Sequence, residues 1–298
     1  MPSAVRELAP PTAPGPLLPW LLVVLAPMNR TRVKQLLQHG RVLVNGRPVT
    51  RHDLPLTPAD RVAIAAEGST ARPGAPPSLE VRYEDDVLVV VNKPAGLLSV
   101  ATDAEKEDTA FTRLAALLRS GRPFVVHRLD RGTSGLLVFA RSPQVRDRLQ
   151  ANWAAVSKTY LAVTDGAPRP PDGTIDNHLL EGDNLRVRPA AADAPGAKRA
   201  VSHYRALGAH GRHALVAVDI LTGRKHQIRV HLAGLGCPVA GDRDYGAKTD
   251  PVGRVCLHAW RLAFDHPVEG HRVELEAPAP ADLWRAYGAR PDQRPRVS

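Results

Sequence analysis

The chain has 298 residues, of which 43% are hydrophobic, which suits two packed domains and excludes a disordered or fibrous polymer. Forty basic against thirty acidic residues leave a formal net charge of +10, and 33 of the 40 are arginine, which suits an acidic polymer as partner through phosphate contacts and base stacking. Two cysteines, Cys237 and Cys256, exclude a disulfide framework and lead to the expectation of a reducing cytoplasm, and no run approaches the 18 apolar residues of a membrane-spanning helix.

Residues 1–16 carry Pro2, Pro10, Pro11, Pro14 and Pro16 and read as a disordered leader. The apolar stretch 17–26 lacks a basic preceding region and a small-residue cleavage site, so it does not read as a signal peptide. From 30 to 39, Val33, Leu36 and Leu37 fall on one helical stripe, with Arg30, Arg32 and Lys34 off it. Extended residues then surround Asn45-Gly46, a pair that tolerates positive φ at both positions of a tight hairpin. Residues 61–64 suit a closing strand. A merely solvated basic helix face would read the same way. A short basic helix leading into an Asn-Gly hairpin resembles an S4-type RNA-binding domain. That resemblance implies a small α/β unit over residues 17–66, with RNA contacts from Arg30, Arg32, Lys34, Arg41 and Asn45. Residues 67–79, rich in Pro, Gly and Ser, read as a linker.

Residues 80–290 read as a second domain. Strands are predicted at 87–91, 124–126, 136–140, 159–163, 201–207, 214–220, 255–257 and 273–275. A helix is predicted over 143–153, with Ser142 as N-cap, Pro143 at its first position, and Val145, Leu149 and Trp153 on one stripe. Another is predicted over 225–235, with Ile228, Leu232 and Leu235 on one face and Gly236 as its stop. Many strands with interspersed helices and no βαβ regularity predict an α+β class. Residues 291–298 read as a short basic tail.

The chemistry centres on residues 125–141, VVHRLDRGTSGLLVFAR. Asp130 stands between Arg128 and Arg131, ahead of a Gly132-Thr133-Ser134-Gly135 turn and an apolar run. A carboxylate so placed can be held rigidly and still face a substrate, with the arginines keeping it ionised. An Asx-turn residue would give the same local pattern. His127-Arg128-Leu129-Asp130, then Thr133-Ser134-Gly135-Leu136-Leu137, resembles the signature of the RluA-type pseudouridine synthases. Further segments are similar to that family's in the same order. They are Asn92-Lys93-Pro94-Ala95-Gly96-Leu97, Lys158-Thr159-Tyr160, the stretch from Thr222-Gly223-Arg224 to His231, Gly241-Asp242-Arg243-Asp244-Tyr245-Gly246, and Leu257-His258-Ala259.

The resemblance implies a catalytic domain built on a largely antiparallel mixed sheet that isomerises uridine in structured RNA. It implies Asp130 as nucleophile, Arg229 as its charge partner and Tyr160 stacked on the target base. Arg128, Arg131, Lys158 and Arg224 are implied to bind substrate. Arg128 is also the candidate to fill the gap of a flipped uridine, and a plain phosphate contact suits it equally. His127 is expected to support the loop that carries Asp130. The reaction breaks N1–C1′ and joins C5 to C1′, so nothing is oxidised or imported and no cofactor is expected. Neither a GxxxxGK[ST] loop nor a strand-following GxGxxG is present. His226 and His231, five apart without an intervening Glu, miss the spacing of a zinc helix, so no metal is expected there or at the paired Asp242 and Asp244. The S4-like module points to large-subunit ribosomal RNA, with tRNA as the alternative, and protein partners are not legible. No membrane contact is expected, because no helix has a strong apolar face. The competing reading is a catalytically silent RNA-binding or ribosome-assembly protein, against which the presence of Asp130, Tyr160 and Arg229 speaks.

Overall fold

The computed structural model describes residues 5–38, 41–45, 47–49, 52–65, 79–101, 108–118, 121–182 and 186–295, and the chain divides into two units, Met1–Ser78 and Leu79–Ser298. In the first unit, β1 (Val5–Glu7), β2 (Gly15–Pro16), α1 (Leu17–Val24), α2 (Arg30–Gln38), β3 (Val42–Val44), β4 (Arg47–Pro48), β5 (Pro55–Leu56) and β6 (Val62–Ala65) follow one another. Four of the strands form a sheet in the order β1-β6-β3-β4. The leader expected to be disordered is therefore structured from residue 5. β1 pairs antiparallel with β6, and β2 with β5. Pro10, Pro11 and Pro14 fall between β1 and β2 and Pro16 at the end of β2, where a missing N–H breaks no ladder. The apolar stretch after them is α1, whose Leu17, Leu18 and Leu21 share a core with Val33, Leu36 and Leu37 of α2. The hairpin at Asn45 is present, with Asn45 at φ 53 between β3 and β4, while Gly46 lies outside the described residues. Of the expected linker, residues 67–78 lie outside the described residues. Leu79 is already buried in the core of the second unit.

The second unit is built on an eleven-stranded sheet. In chain order its elements are β7 (Glu80–Glu84), β8 (Leu88–Lys93), α3 (Ala110–Leu117), β9 (Phe124–Val125), β10 (Ser134–Ala140), α4 (Pro143–Ala151) and β11 (Ser157–Asp165). They continue with β12 (Asp172–Glu181), β13 (Val187–Ala190), β14 (Lys198–His210), β15 (His213–Ile220), α5 (Gln227–Gly234), β16 (Leu257–Asp265), β17 (Arg272–Glu276) and α6 (Ala281–Tyr287). The strand order is β13-β12-β14-β15-β11-β16-β10-β8-β7, with β17 on β16 and β9 on β10. Among the described residues, only the β10–β16 strand pair is parallel, so the sheet is mixed and largely antiparallel. Among the described residues, no helix is long and apolar enough to cross a membrane.

The continuous apolar run of β10 is explained by burial on both faces. Leu136, Val138 and Ala140 point into one core with Val145 and Leu149 of α4, and Leu137 and Phe139 into another with Leu114 of α3. α4 starts as the sequence predicts, with the Ser142 hydroxyl accepting the Val145 N–H at 3.2 Å. β12 and β13 were not foreseen. The residues of β12 alternate between exposed and half-exposed for most of their length, so no apolar period marks them. The strand predicted at 255–257 instead begins at Leu257 and runs through Asp265, an apolar stretch that Arg261 interrupts. The expected basic tail opens with one 3₁₀ turn, Pro291–Gln293, and Arg294 lies 4.8 Å from the Trp284 ring centre.

Candidate active site

Asp130 sits in the connection from β9 to β10, closed by the Thr133 N–H donating to the Asp130 carbonyl at 3.1 Å. The segment is pinned at several points. The Ser99 hydroxyl donates to the Leu129 carbonyl and accepts the Leu129 N–H at 2.8 and 3.0 Å. Gly96 N–H donates to the Arg131 carbonyl at 2.8 Å. His127 Nε2 accepts the Val138 N–H at 3.1 Å, and its ring lies 4.6 Å from that of Trp153. Burial, and then the Lys158 charge, pushes the His127 pKa down to about 3, so it supports the loop as a neutral ring.

Beneath the turn, Lys93 is completely buried and donates to the carbonyls of Pro94 and Leu97 at 3.0 and 2.7 Å. Burial lowers its pKa to about 7 against the opposing pull of the Asp130 charge. On the β10 side, Ser134 bonds His258 Nδ1 at 2.9 Å, and His258 Nε2 donates to the Ala277 carbonyl at 3.0 Å. Gly135 has φ 113, and a Cβ there would lie 2.1 Å from the Ala259 carbonyl oxygen. Only glycine lets β10 approach β16 this closely beside the turn.

Arg229 comes from α5. Its Nε and Nη2 grip the two oxygens of Asp242 at 2.6 and 2.7 Å, and Nη2 also reaches Asp244 at 3.0 Å. Arg229 and Asp242 are 7% and 1% exposed, so this fork is a buried ion pair. Nη1 approaches Asp130 Oδ2 at 3.8 Å. Burial works against the Arg229 charge, but the Asp242 hydrogen bonds and charge outweigh it and raise its pKa. The fork fixes the guanidinium plane, which also lies 4.9 Å from the Tyr245 ring centre.

Gln227, the first residue of α5, folds the loop before it. Its carboxamide oxygen accepts from the Thr222 hydroxyl and the Arg224 N–H, and its nitrogen donates to Val201 O and Ser202 Oγ. His226 is thereby forced into the left-handed region (φ 54) and lies with Nε2 3.9 Å from Asp130 Oδ2. Tyr160 is delivered from β11 at a bulge, where the register against β16 shifts between Thr159 and Tyr160. Such a bulge re-aims a side chain. Burial, and then the Asp130 charge, raises the Tyr160 hydroxyl well above its ordinary pKa, so it is a neutral phenol.

Asp130, Tyr160, His226 and Arg229 face one cleft of about 800 Å³ that lies wholly in the second unit. Asp130, Tyr160, Arg229, Arg128 and Arg224 line a narrower pocket at its floor. Arg128 and Arg131 are exposed on the cleft, and Arg224 is tethered by its Nε donating to the Arg199 carbonyl at 3.0 Å. Lys158 also lines the cleft. It is 6% exposed, its Nζ donates to the Trp153 carbonyl at 3.0 Å, and burial lowers its pKa to about 8. In the first unit, Arg30, Arg32 and Lys34 lie exposed on α2, and Arg41 is half-exposed. Asn45 is committed to the fold: its carboxamide donates to Asp60 at 2.7 Å and accepts the Arg61 N–H at 2.9 Å.

Sequence reasoning did not assign roles to Lys93, Ser99 or Tyr245, and weighed His226 and Asp242 only as metal ligands. Most of them lie within the quoted motifs, which was the available signal. Among the described residues, His266, Glu269 and His271 bring possible ligand atoms within 4.8 Å of one another. His266 is already engaged at both nitrogens, with Nε2 on Asp85 and Nδ1 accepting the Glu269 N–H. His231 is likewise engaged, by Ser202 and Asn177.

A family profile described as RNA pseudouridylate synthase matches residues 87–234, and an S4 domain profile matches residues 23–62. The uncharacterized RNA pseudouridine synthase YlyB of Bacillus subtilis is 36% identical, over 86% of this chain and 87% of that one. Ribosomal large subunit pseudouridine synthase D of Neisseria meningitidis is 34% identical, over 89% and 75% of the two chains. Among solved structures, human RNA pseudouridylate synthase domain containing 4 is similar with a TM-score of 0.57 and 27% identity, over 70% of this chain and 91% of that one.

Proposed function

The chain belongs to the RNA pseudouridylate synthase family, and from that premise we propose that it isomerises particular uridines of large-subunit ribosomal RNA with Asp130 as nucleophile. The observation that carries this reading is the convergence of Asp130, Arg229 and Tyr160, from three separate segments, on the floor of one cleft. The target uridine leaves its stack and enters that pocket. Tyr160 stacks on the uracil, and as a neutral phenol it offers a hydrogen bond rather than a phenolate base. Asp130 attacks, the N1–C1′ bond breaks, the uracil turns, C5 joins C1′, the bond to Asp130 breaks to free the carboxylate, the C5 proton leaves to solvent and N1 takes up a proton. Attack at C1′ and attack at the uracil ring make the same demand: a fixed, ionised carboxylate in a site that excludes water. The Arg229 guanidinium, held by Asp242, supplies the fixed positive charge.

Arg128, Arg131 and Arg224 contact the RNA backbone around the flipped nucleotide, and Arg128, exposed on the cleft, fills the gap it leaves. The α2 face with Arg30, Arg32 and Lys34 binds a helical region of the same RNA. Large-subunit ribosomal RNA is favoured by relatives named for it that carry most of their length in common with this chain. Two buried, unpaired thiols, Cys237 and Cys256, suit a reducing cytoplasm. The test is tritium release from C5-labelled uridine in large-subunit ribosomal RNA and in tRNA transcripts. Release by wild type and none by Asp130→Asn supports the reading, and the transcript that reacts identifies the substrate class. Release by both proteins removes Asp130 from the chemistry.

A further inference from the structure

His226 occupies the left-handed region (φ 54), which a non-glycine residue adopts only where its surroundings impose it. Its ring is oriented by a chain of hydrogen bonds that fixes which nitrogen bears the proton. The Val187 N–H donates to the Tyr245 hydroxyl oxygen at 3.0 Å. The Tyr245 proton then finds its acceptor among the described residues at His226 Nδ1, 2.9 Å away, which favours the tautomer that accepts there. A neutral imidazole that accepts at Nδ1 carries its hydrogen on Nε2. Nε2 is the atom that faces Asp130 Oδ2 at 3.9 Å, the same oxygen that Arg229 Nη1 approaches at 3.8 Å.

We propose that His226 is a positioning residue for the nucleophile, its Nε2–H donating to Asp130 Oδ2 once RNA fills the cleft, and that Tyr245 sets the tautomer that makes this possible. The inference rests on Asp130 being the nucleophile. The present separation is about 1 Å longer than a hydrogen bond, as is common before substrate closes a site. Charged groups of both signs surround the ring: Asp130 and Asp242 favour its protonation, and Arg229 and Lys225 oppose it. Burial opposes it most, so the ring is held neutral. A neutral donor orients a carboxylate while withdrawing less of its charge than a second cation beside Arg229 would. With Oδ2 held by two donors on α5 and the turn before it, the carboxylate is fixed in rotation about its Cβ–Cγ bond.

The experiment compares wild type, Asp130→Asn, His226→Leu, His226→Gln and Tyr245→Phe. It measures single-turnover tritium release from a C5-labelled large-subunit ribosomal RNA transcript, the affinity for that RNA and the melting temperature. His226→Leu lowers the single-turnover rate roughly 10- to 100-fold, the worth of one hydrogen bond to a charged group, with affinity within about two-fold of wild type. His226→Gln, which keeps an N–H at similar reach, recovers most of that rate, and Tyr245→Phe falls between them. If His226→Leu does not fold, the slower rate of Tyr245→Phe at unchanged affinity decides the question. A wild-type rate in His226→Leu or Tyr245→Phe overturns the proposal, as does a folded His226→Gln no faster than His226→Leu. Failure of wild type to release tritium, or full release by Asp130→Asn, instead overturns the underlying assignment of Asp130.

Discussion

Replacing Arg229 by methionine separates stability from catalysis. The guanidinium and the Asp242 carboxylate are joined by two short parallel hydrogen bonds, and their side chains are 8% and 1% exposed, so solvent screens the pair little. Removing the cation leaves a buried carboxylate without its partner, which costs about 3–5 kcal/mol. For a unit the size of Leu79–Ser298 this lowers the melting temperature by about 6–20 °C. Adding Asp242→Leu replaces the ion pair with apolar volume and restores most of that loss. Neither variant regains tritium release, because the fixed positive charge beside Asp130 is gone in both. Arg229→Lys keeps a charge but loses the fork, and falls between wild type and Arg229→Met in both assays. Thermal melting and single-turnover release on the four proteins provide the check. A melting temperature for Arg229→Met within 2 °C of wild type refutes the energetic argument. Wild-type turnover by the Arg229→Met/Asp242→Leu protein refutes the role given to Arg229.

Gly135→Ala would drive a methyl group into the Ala259 backbone from a φ of 113, forcing β10 and β16 apart, and should cost at least about 3 kcal/mol in urea unfolding. His258 and His231, with pKa values pushed down by burial to about 4, and His127, to about 3, give a pH signature. Between those values and about 6.5 the unfolded chain binds protons at these sites and the folded protein does not. Stability therefore rises with pH across that window and is lost as pH falls through it, which denaturant midpoints from pH 4 to 7 will register. Replacing Arg30, Arg32 and Lys34 together by alanine should weaken RNA binding and flatten its salt dependence by up to about one unit of log–log slope per lost phosphate contact. The single-turnover rate at saturating enzyme should stay unchanged, and a drop in it would place those residues in the chemistry.

Local signals in the chain determined what depends on neighbours a few residues away. The apolar run of β10, the Ser142-Pro143 start of α4, the stripe of α2 and the Asn45 turn all follow from short-range sterics, capping and periodicity, and each is where the sequence puts it. The motif residues proposed to bear the reaction were legible for the same reason, since Asp130 on its Gly-rich turn is a local arrangement. β1 and β12 were not, because an edge strand or a half-exposed strand is stabilised by the partner it pairs with and carries little pattern of its own. The roles of Lys93, His226, Asp242 and Tyr245 were decided only by the tertiary structure. Lys93 meets the Arg131 carbonyl 38 residues away, and His226 meets Tyr245 19 residues on and Asp130 from a different strand connection. Burial lowered the Lys93 pKa, while the Asp242 hydrogen bonds and charge, against burial, made Arg229 a locked cation. Desolvation and hydrogen-bond partners are properties of the packed molecule, so the residue types could be read from the chain while their protonation and orientation came from the fold.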